Sequence, residues 1–193
     1  MQQLFDFLNA IAALSPALRV HIERILVRKE FKKGEFIVRE GQICGYIFFL
    51  ESGLVRIYNT TSSKEVTTWF LKEGNLFISV DSFFGQWPSL ENITAMEDCV
   101  CWGISFRQLE EILEKFLEFQ KHHGMILRNY YMFSQRRQLR LASQTSLERY
   151  TTLEVEESWL LERVPMNILW TYLQLSERTF KRARQRYYLN ERK

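Results

Sequence analysis

A chain of 193 residues with 46% hydrophobic and 25% charged residues has a globular composition, which excludes wholesale disorder. It is long enough for one substantial core, or for a domain of about 110 residues beside a smaller one. No run approaches the roughly 18 consecutive apolar residues of a membrane helix, and three cysteines (Cys44, Cys99, Cys101) without a CxxC pair point to reduced, packed thiols and not to a disulfide framework. The net charge of +3 conceals a split: residues 1–106 hold 10 Lys/Arg against 12 Asp/Glu, whereas residues 107–193 hold 16 against 11, a weak sign of an anionic partner for the C-terminal end.

The N-terminal stretch MQQLFDFLNAIAALSPALR lacks a basic region ahead of its apolar part. It reads as an amphipathic helix and not as a secretory signal, so a cytoplasmic protein is expected. From Lys32 the chain turns to short β-rich runs, GEFIVREG, GYIFFLESG, LVRIYNTT, EVTTWFLKEG and NITAMEDCVCWGIS. Apolar and polar residues alternate within them, as at Phe36 and Val38 or Val55 and Ile57, and the runs break at Gly34, Gly41, Gly53 and Gly74. Many short strands at near-regular spacing predict an antiparallel β-roll of the jelly-roll kind, hence an α+β fold with residues 1–106 as its first domain.

After Ser105 the texture becomes helical. Leu109, Ile112, Phe116, Phe119, His123, Ile126, Tyr130 and Phe133 follow one another at spacings of three and four, an a/d seam sustained over more than three heptads. The spacing predicts a long helix over 107–135 that pairs with a second copy of itself, although a helix lying on its own domain shows similar periodicity. A further helical segment, SLERYTTLEVEE, opens a third domain over 136–193. Pro165 then suits the first turn of a helix MNILWTYL, QLS makes a brief break, and a basic segment follows, the layout of a helix-turn-helix.

The basic segment SERTFKRARQRYY sorts its residues as a helix would. Phe180, Ala183 and Tyr187 fall on one side, with Arg178, Lys181, Arg182 and Gln185 roughly opposite. Ser176 is a good N-cap and Thr179 sits on the first turn, where hydroxyls and free N–H groups can meet a phosphate. Arg pairs bidentately with guanine and Glu accepts from the cytosine amino group, while Lys and Arg at other positions bind phosphate without reading sequence.

The order of these parts, a glycine-punctuated β-roll, a long helix, then VPMNILWTYLQLSERTFKRAR, resembles the Crp/Fnr family of bacterial transcription regulators over nearly the whole chain. ESGLVRIY and KEGNLF are similar to the glycine turns of the cyclic-nucleotide-binding fold. The resemblance implies a cytoplasmic homodimer that binds double-stranded DNA at a roughly palindromic operator through Ser176–Leu189. It places base contacts at Glu177, Arg178 and Arg182 and leaves Ser176, Thr179, Lys181, Arg184 and Arg186 for phosphates. RNA polymerase is a further partner class that it brings in, with no surface signature in the sequence.

The same resemblance maps the glutamate, arginine and serine that hold cyclic AMP in other members onto Ser79, Ser89 and Leu90. None keeps the chemistry, and no arginine lies between Arg56 and Arg107, so a phosphate would lack a bidentate guanidinium partner. Cyclic AMP is therefore not expected as a ligand. Nor is an iron–sulfur cluster, since the first cysteine is Cys44 and the oxygen-sensing members use an N-terminal cysteine cluster. The stretch FISVDSFFGQWPSLENI, with Phe77, Phe83, Phe84 and Trp87, reads either as aromatic core or as a site for an unknown small apolar effector. Two positions depart from the family pattern: Trp170 stands where a small residue is usual at the helix crossing, and Gln174 where the turn usually has glycine. The sequence ends at Lys193, so no full wing is expected. These departures support the alternative of a ligand-sensing or protein-interaction module with a degenerate helix-turn-helix. Catalysis and a metal site are not expected: residues 32–106 contain no histidine, and no nucleophile–base pair is visible.

Overall fold

The computed structural model describes residues 1–62 and 64–190. They form two compact units, one of Met1–Asn59 and Trp69–Asn129, the other of Thr60–Thr68 and Tyr130–Lys193.

The first unit begins with two amphipathic helices, α1 (Gln2–Ile11) and α2 (Pro16–Ile25). Ser15 caps α2, its hydroxyl accepting from Leu18 N, and Pro16 occupies the first helical position, where its missing N–H costs nothing. The strands are β1 (Val27–Phe31), β2 (Phe36–Val38), β3 (Tyr46–Ser52), β4 (Leu54–Thr60), β5 (Glu65–Lys72), β6 (Leu76–Phe77), β7 (Asn92–Ala95) and β8 (Cys99–Ser105), with a short helix α3 (Val80–Gly85) between β6 and β7. They make two four-stranded sheets, β1-β8-β3-β6 and β2-β7-β4-β5. Leu54–Thr60 and Glu65–Lys72 begin and end in different compact units, so the hairpin tip between them, Thr60–Thr68, belongs to the second. The expected antiparallel roll is thus present, with β1 on β8 and β3 on β8 in antiparallel register.

Alternation along the strands builds the core. Val55 and Ile57 of β4, Ile93 and Ala95 of β7, Phe49 of β3 and Cys99 and Cys101 of β8 all lie within it, joined by Phe5, Leu8, Leu18 and Ile22 of the two helices. All three cysteines are buried free thiols. Gly53, between β3 and β4, has φ +102°, and a Cβ there would lie 2.6 Å from Asp98 O and 2.7 Å from Cys99 Sγ. Only glycine satisfies both the backbone conformation and the close approach.

The long seam departs from expectation. Two helices, α4 (Phe106–Lys115) and α5 (Phe119–Ser143), replace one continuous helix, and Phe116 leaves helical geometry at φ −124°, ψ 85°. A capping box of Ser105 and Gln108 starts α4. Leu109, Ile112 and Phe119 are buried in the core of the first unit, and Phe116 and Ile126 pack against it, so these positions do not form a free pairing seam. Phe116 meets the His21 ring at a tilt with centroids 5.1 Å apart, and His123 lies 6.2 Å from the Phe84 ring. The physical reason is that a three-four spacing records an apolar face without saying what covers it; here the roll covers its first half. Tyr130 and Phe133 remain exposed, at 42% and 60%.

The second unit holds the rest of α5, then α6 (Ser146–Glu156), α7 (Trp159–Arg163), α8 (Met166–Tyr172) and α9 (Glu177–Asn190). Thr145 and Glu148 form a capping box at the start of α6. The core here is Tyr150, Leu153, Leu160, Leu169, Tyr172, Phe180 and Ala183, each buried.

Candidate nucleic-acid interface

The helix α9 is held by its apolar side and leaves its basic side free. Phe180 and Ala183 are buried, and the Tyr150 ring of α6 meets Phe180 and Tyr187 edge-on at 5.4 and 5.7 Å. Tyr150 and Tyr188 both donate to Glu154 Oε1, at 2.5 and 2.7 Å, and burial, with that bond, pushes the Tyr150 hydroxyl pKa upward. Glu177, Arg178, Lys181, Arg182, Arg184, Gln185 and Arg186 are exposed.

Their partners differ. Lys181 Nζ lies 2.6 Å from Glu177 Oε1, one helical turn back. The Arg184 guanidinium sits 5.7 Å from the Tyr188 ring centre. Arg178, Arg182 and Arg186 have no ion pair or hydrogen bond among the described residues, so three guanidinium groups are available to an external acceptor. At the helix start, Ser176 Oγ accepts from Thr179 N at 3.2 Å and lies 2.9 Å from Thr179 Oγ1. The cap hydroxyls are therefore used inside the first turn.

The Gln174 departure noted in the sequence has a local solution. Gln174 adopts the left-handed conformation, φ 53°. Leu175 N donates to Trp170 O at 2.9 Å and Gln174 N to Thr171 O at 3.3 Å, the bond pair of a Schellman C-cap. The turn is made without glycine, at a cost of about 1 kcal/mol for the side chain in that region. Trp170 stands beside α9. It is half-buried and lines the flank, in a hollow of 570 Å³ with Met166, Phe180, Lys181, Arg184, Gln185 and Tyr188.

Two arginines that sequence reading passed over hold this turn from behind. Arg149 of α6 donates from Nη1 to Leu173 O (2.9 Å), from Nε to Gln144 O (3.2 Å) and from Nη2 to Leu141 O (2.5 Å). Arg137 of α5 donates from Nη2 to Tyr172 O (2.8 Å) and lies 3.8 Å over the Tyr172 ring. Nothing in a linear string distinguishes them from the other basic residues of this region; only their partial burial does.

In the first unit, the positions laid on the cyclic-nucleotide cassette are closed on themselves. Ser79 and Ser89 are buried, their hydroxyls 2.9 Å apart, and Ser89 Oγ accepts from Glu91 N at 3.0 Å. Ser82 Oγ donates to Trp87 O at 2.6 Å and accepts from Cys44 N at 2.9 Å. Leu90 is 68% exposed. Phe83 is fully buried and packs edge-on against Phe84 and Phe106. Arg56, which precedes the cassette, is buried, alternates away from core-facing Val55 and Ile57, and lies 4.1 Å over the Tyr58 ring. A cyclic nucleotide needs a carboxylate for its ribose diol and a cation for its phosphate, and these residues do not fit it. Among the described residues no group of three or more His, Cys, Asp or Glu side chains could hold a metal ion, and no helix is long and apolar enough to cross a membrane.

Residues 28–116 match the family model of the cyclic nucleotide-binding domain. No curated protein matches the chain in sequence. Among solved structures, FixK2 from Bradyrhizobium japonicum is similar at a TM-score of 0.71 with 17% identity over 86% of each chain. The c-di-GMP responsive global regulator CLP from Xanthomonas campestris follows at 0.69 and 15%, over 92% of this chain and 93% of that one. A protein assigned to the Crp/Fnr regulators from Eubacterium rectale gives 0.71 and 17%, over 92% and 85%. The fold of the chain is the fold these proteins share: a cyclic-nucleotide-binding-type β-roll, a long helix and a C-terminal helical domain.

Proposed function

We propose that the chain is a transcription regulator of the Crp/Fnr type, a homodimer that reads a roughly palindromic DNA operator through Ser176–Leu189 and whose β-roll does not take a cyclic nucleotide. The observation that carries this is the set of guanidinium groups without a partner among the described residues, Arg178, Arg182 and Arg186, on the outward side of a helix anchored by Phe180 and Ala183. A packed helix presenting free forked donors on one face suits insertion into a major groove.

Arg178 and Arg182 lie opposite the buried line of α9 and are the base readers; Arg184 and Arg186 meet phosphates, while Glu177 holds Lys181 in an ion pair. Dimerisation is supported by α5, where Tyr130, Tyr131, Met132 and Phe133 are 42%, 64%, 44% and 60% exposed in the single chain. Four consecutive large apolar residues cover most of the circumference of a helix, which is the signature of one that another surface buries. Two copies of α9 would then enter successive major grooves about 34 Å apart. Location in the cytoplasm and contact with RNA polymerase belong to this same reading.

The test is selection of bound fragments from a random duplex DNA pool by the purified protein, with Arg178→Ala/Arg182→Ala as control. An inverted repeat that the double variant fails to enrich is the expected result. Enrichment only at low salt and without a motif would overturn it. The Trp170 hollow would then favour the second reading, a protein-interaction module whose helix-turn-helix no longer reads bases.

A further inference from the structure

The chain from Leu173 to Ser176 is all that separates α8 from α9, so whatever holds the end of α8 sets where the basic helix points. The last carbonyls of a helix have no partner inside it and lie at the negative end of its dipole. Here Tyr172 O receives Arg137 and Leu173 O receives Arg149, one from α5 and one from α6. Arg137 also donates to Thr67 O at 3.3 Å, a residue of the hairpin tip Thr60–Thr68 that belongs to this compact unit. Thr67 Oγ1 lies 2.6 Å from Thr171 Oγ1. Because the Thr171 hydroxyl proton goes to Ile168 O at 2.6 Å, Thr67 is the donor in that bond. Tyr172 is fixed further by its hydroxyl, which donates to Glu157 at 3.0 Å.

We infer that Arg137 and Arg149 are positioning residues for DNA reading, a pair of guanidinium clamps that fix the α8–α9 turn onto α5 and α6, with Thr67 of the hairpin tip as a third strut. Neither touches DNA. The inference rests on the proposed DNA reading and explains how it is made specific: base contacts in two half-sites need α9 held at one angle to the helix that pairs the two copies. The planar fork matters, because Arg137 stacks on Tyr172 while bonding two carbonyls, which a lysine ammonium does not reproduce.

The experiment compares full-length Arg137→Met, Arg137→Lys, Arg149→Lys and Thr67→Val with the parent chain, in two arms. Thr67→Val removes one hydroxyl and keeps the shape, so it folds even where Arg137→Met does not. In the first arm, without DNA, amide hydrogen exchange over 169–176 is expected to quicken by about tenfold while the far-UV spectrum stays the same. In the second arm, affinity for the selected operator is expected to fall by tenfold or more while affinity for random duplex stays within about twofold. Arg137→Lys should not rescue either readout. Unchanged exchange over 169–176 in Thr67→Val and Arg137→Lys overturns the clamp. Equal loss of operator and random-duplex binding overturns the positioning role. If the parent chain selects no operator, the DNA reading fails by itself, and the exchange arm still decides whether the clamp exists.

Discussion

Replacing Glu177 by glutamine separates two jobs that this residue could do on α9. Its carboxylate lies 2.6 Å from Lys181 Nζ, with the side chains 53% and 69% exposed. An exposed pair of this kind is worth only about 0.3–0.5 kcal/mol, and the loss of an acidic group at the helix N-terminus adds a few tenths more, so the protein should lose about 1 kcal/mol at most. The effect on DNA is larger. Freed of its partner, Lys181 adds one phosphate contact per protomer, about two per dimer, and each steepens the slope of log affinity against log salt by about 0.9. A slope steeper by about 1.8, measured by titration between 50 and 200 mM salt, makes affinity fall roughly tenfold more over that interval than in the parent chain. Sequence preference should be kept. An unchanged slope, together with loss of preference at a single base pair, would refute this and assign Glu177 to a cytosine.

Other expectations follow from the same structure. Gly53→Ala forces a Cβ to within 2.6 Å of Asp98 O at a φ of +102° and should destabilise the roll by about 3 kcal/mol, roughly 10 °C in a thermal melt. Gln174→Gly relieves a left-handed glutamine and should stabilise by about 0.5–1 kcal/mol, measured by denaturant titration. Tyr130→Asp with Phe133→Asp places two carboxylates on the exposed apolar surface of α5, and sedimentation at micromolar concentration should report a monomer for the variant and a dimer for the parent chain. Burial pushes the Cys101 thiol up to about 12 and raises those of Cys44 and Cys99. A thiol reagent at pH 8 should therefore modify none of the three until denaturant is added, and then all three.

The β-roll, the helical C-terminal domain and the amphipathic basic helix were legible in the order of residues, because alternation of period two, glycine at positive φ and a three-four apolar spacing are local signals. Gly53 and Gly74 fall where the chain turns, and Phe180 and Ala183 on the buried side of α9, as those signals imply. What covers an apolar face is not local. The eight-residue seam from Leu109 to Phe133 reads as one helix in sequence, yet the chain breaks at Phe116 and buries Leu109, Ile112 and Phe119 in the roll, because that core supplies more apolar contact for them than solvent does. Likewise, charge is written in the sequence but its use is not. Among the basic residues of the last domain, Arg137 and Arg149 turn inward to backbone carbonyls, Lys181 pairs with Glu177, and Arg178, Arg182 and Arg186 have no partner among the described residues. That division depends on which carbonyls and carboxylates the fold brings within hydrogen-bond reach, so only the tertiary structure decided which cations are left for an external acceptor.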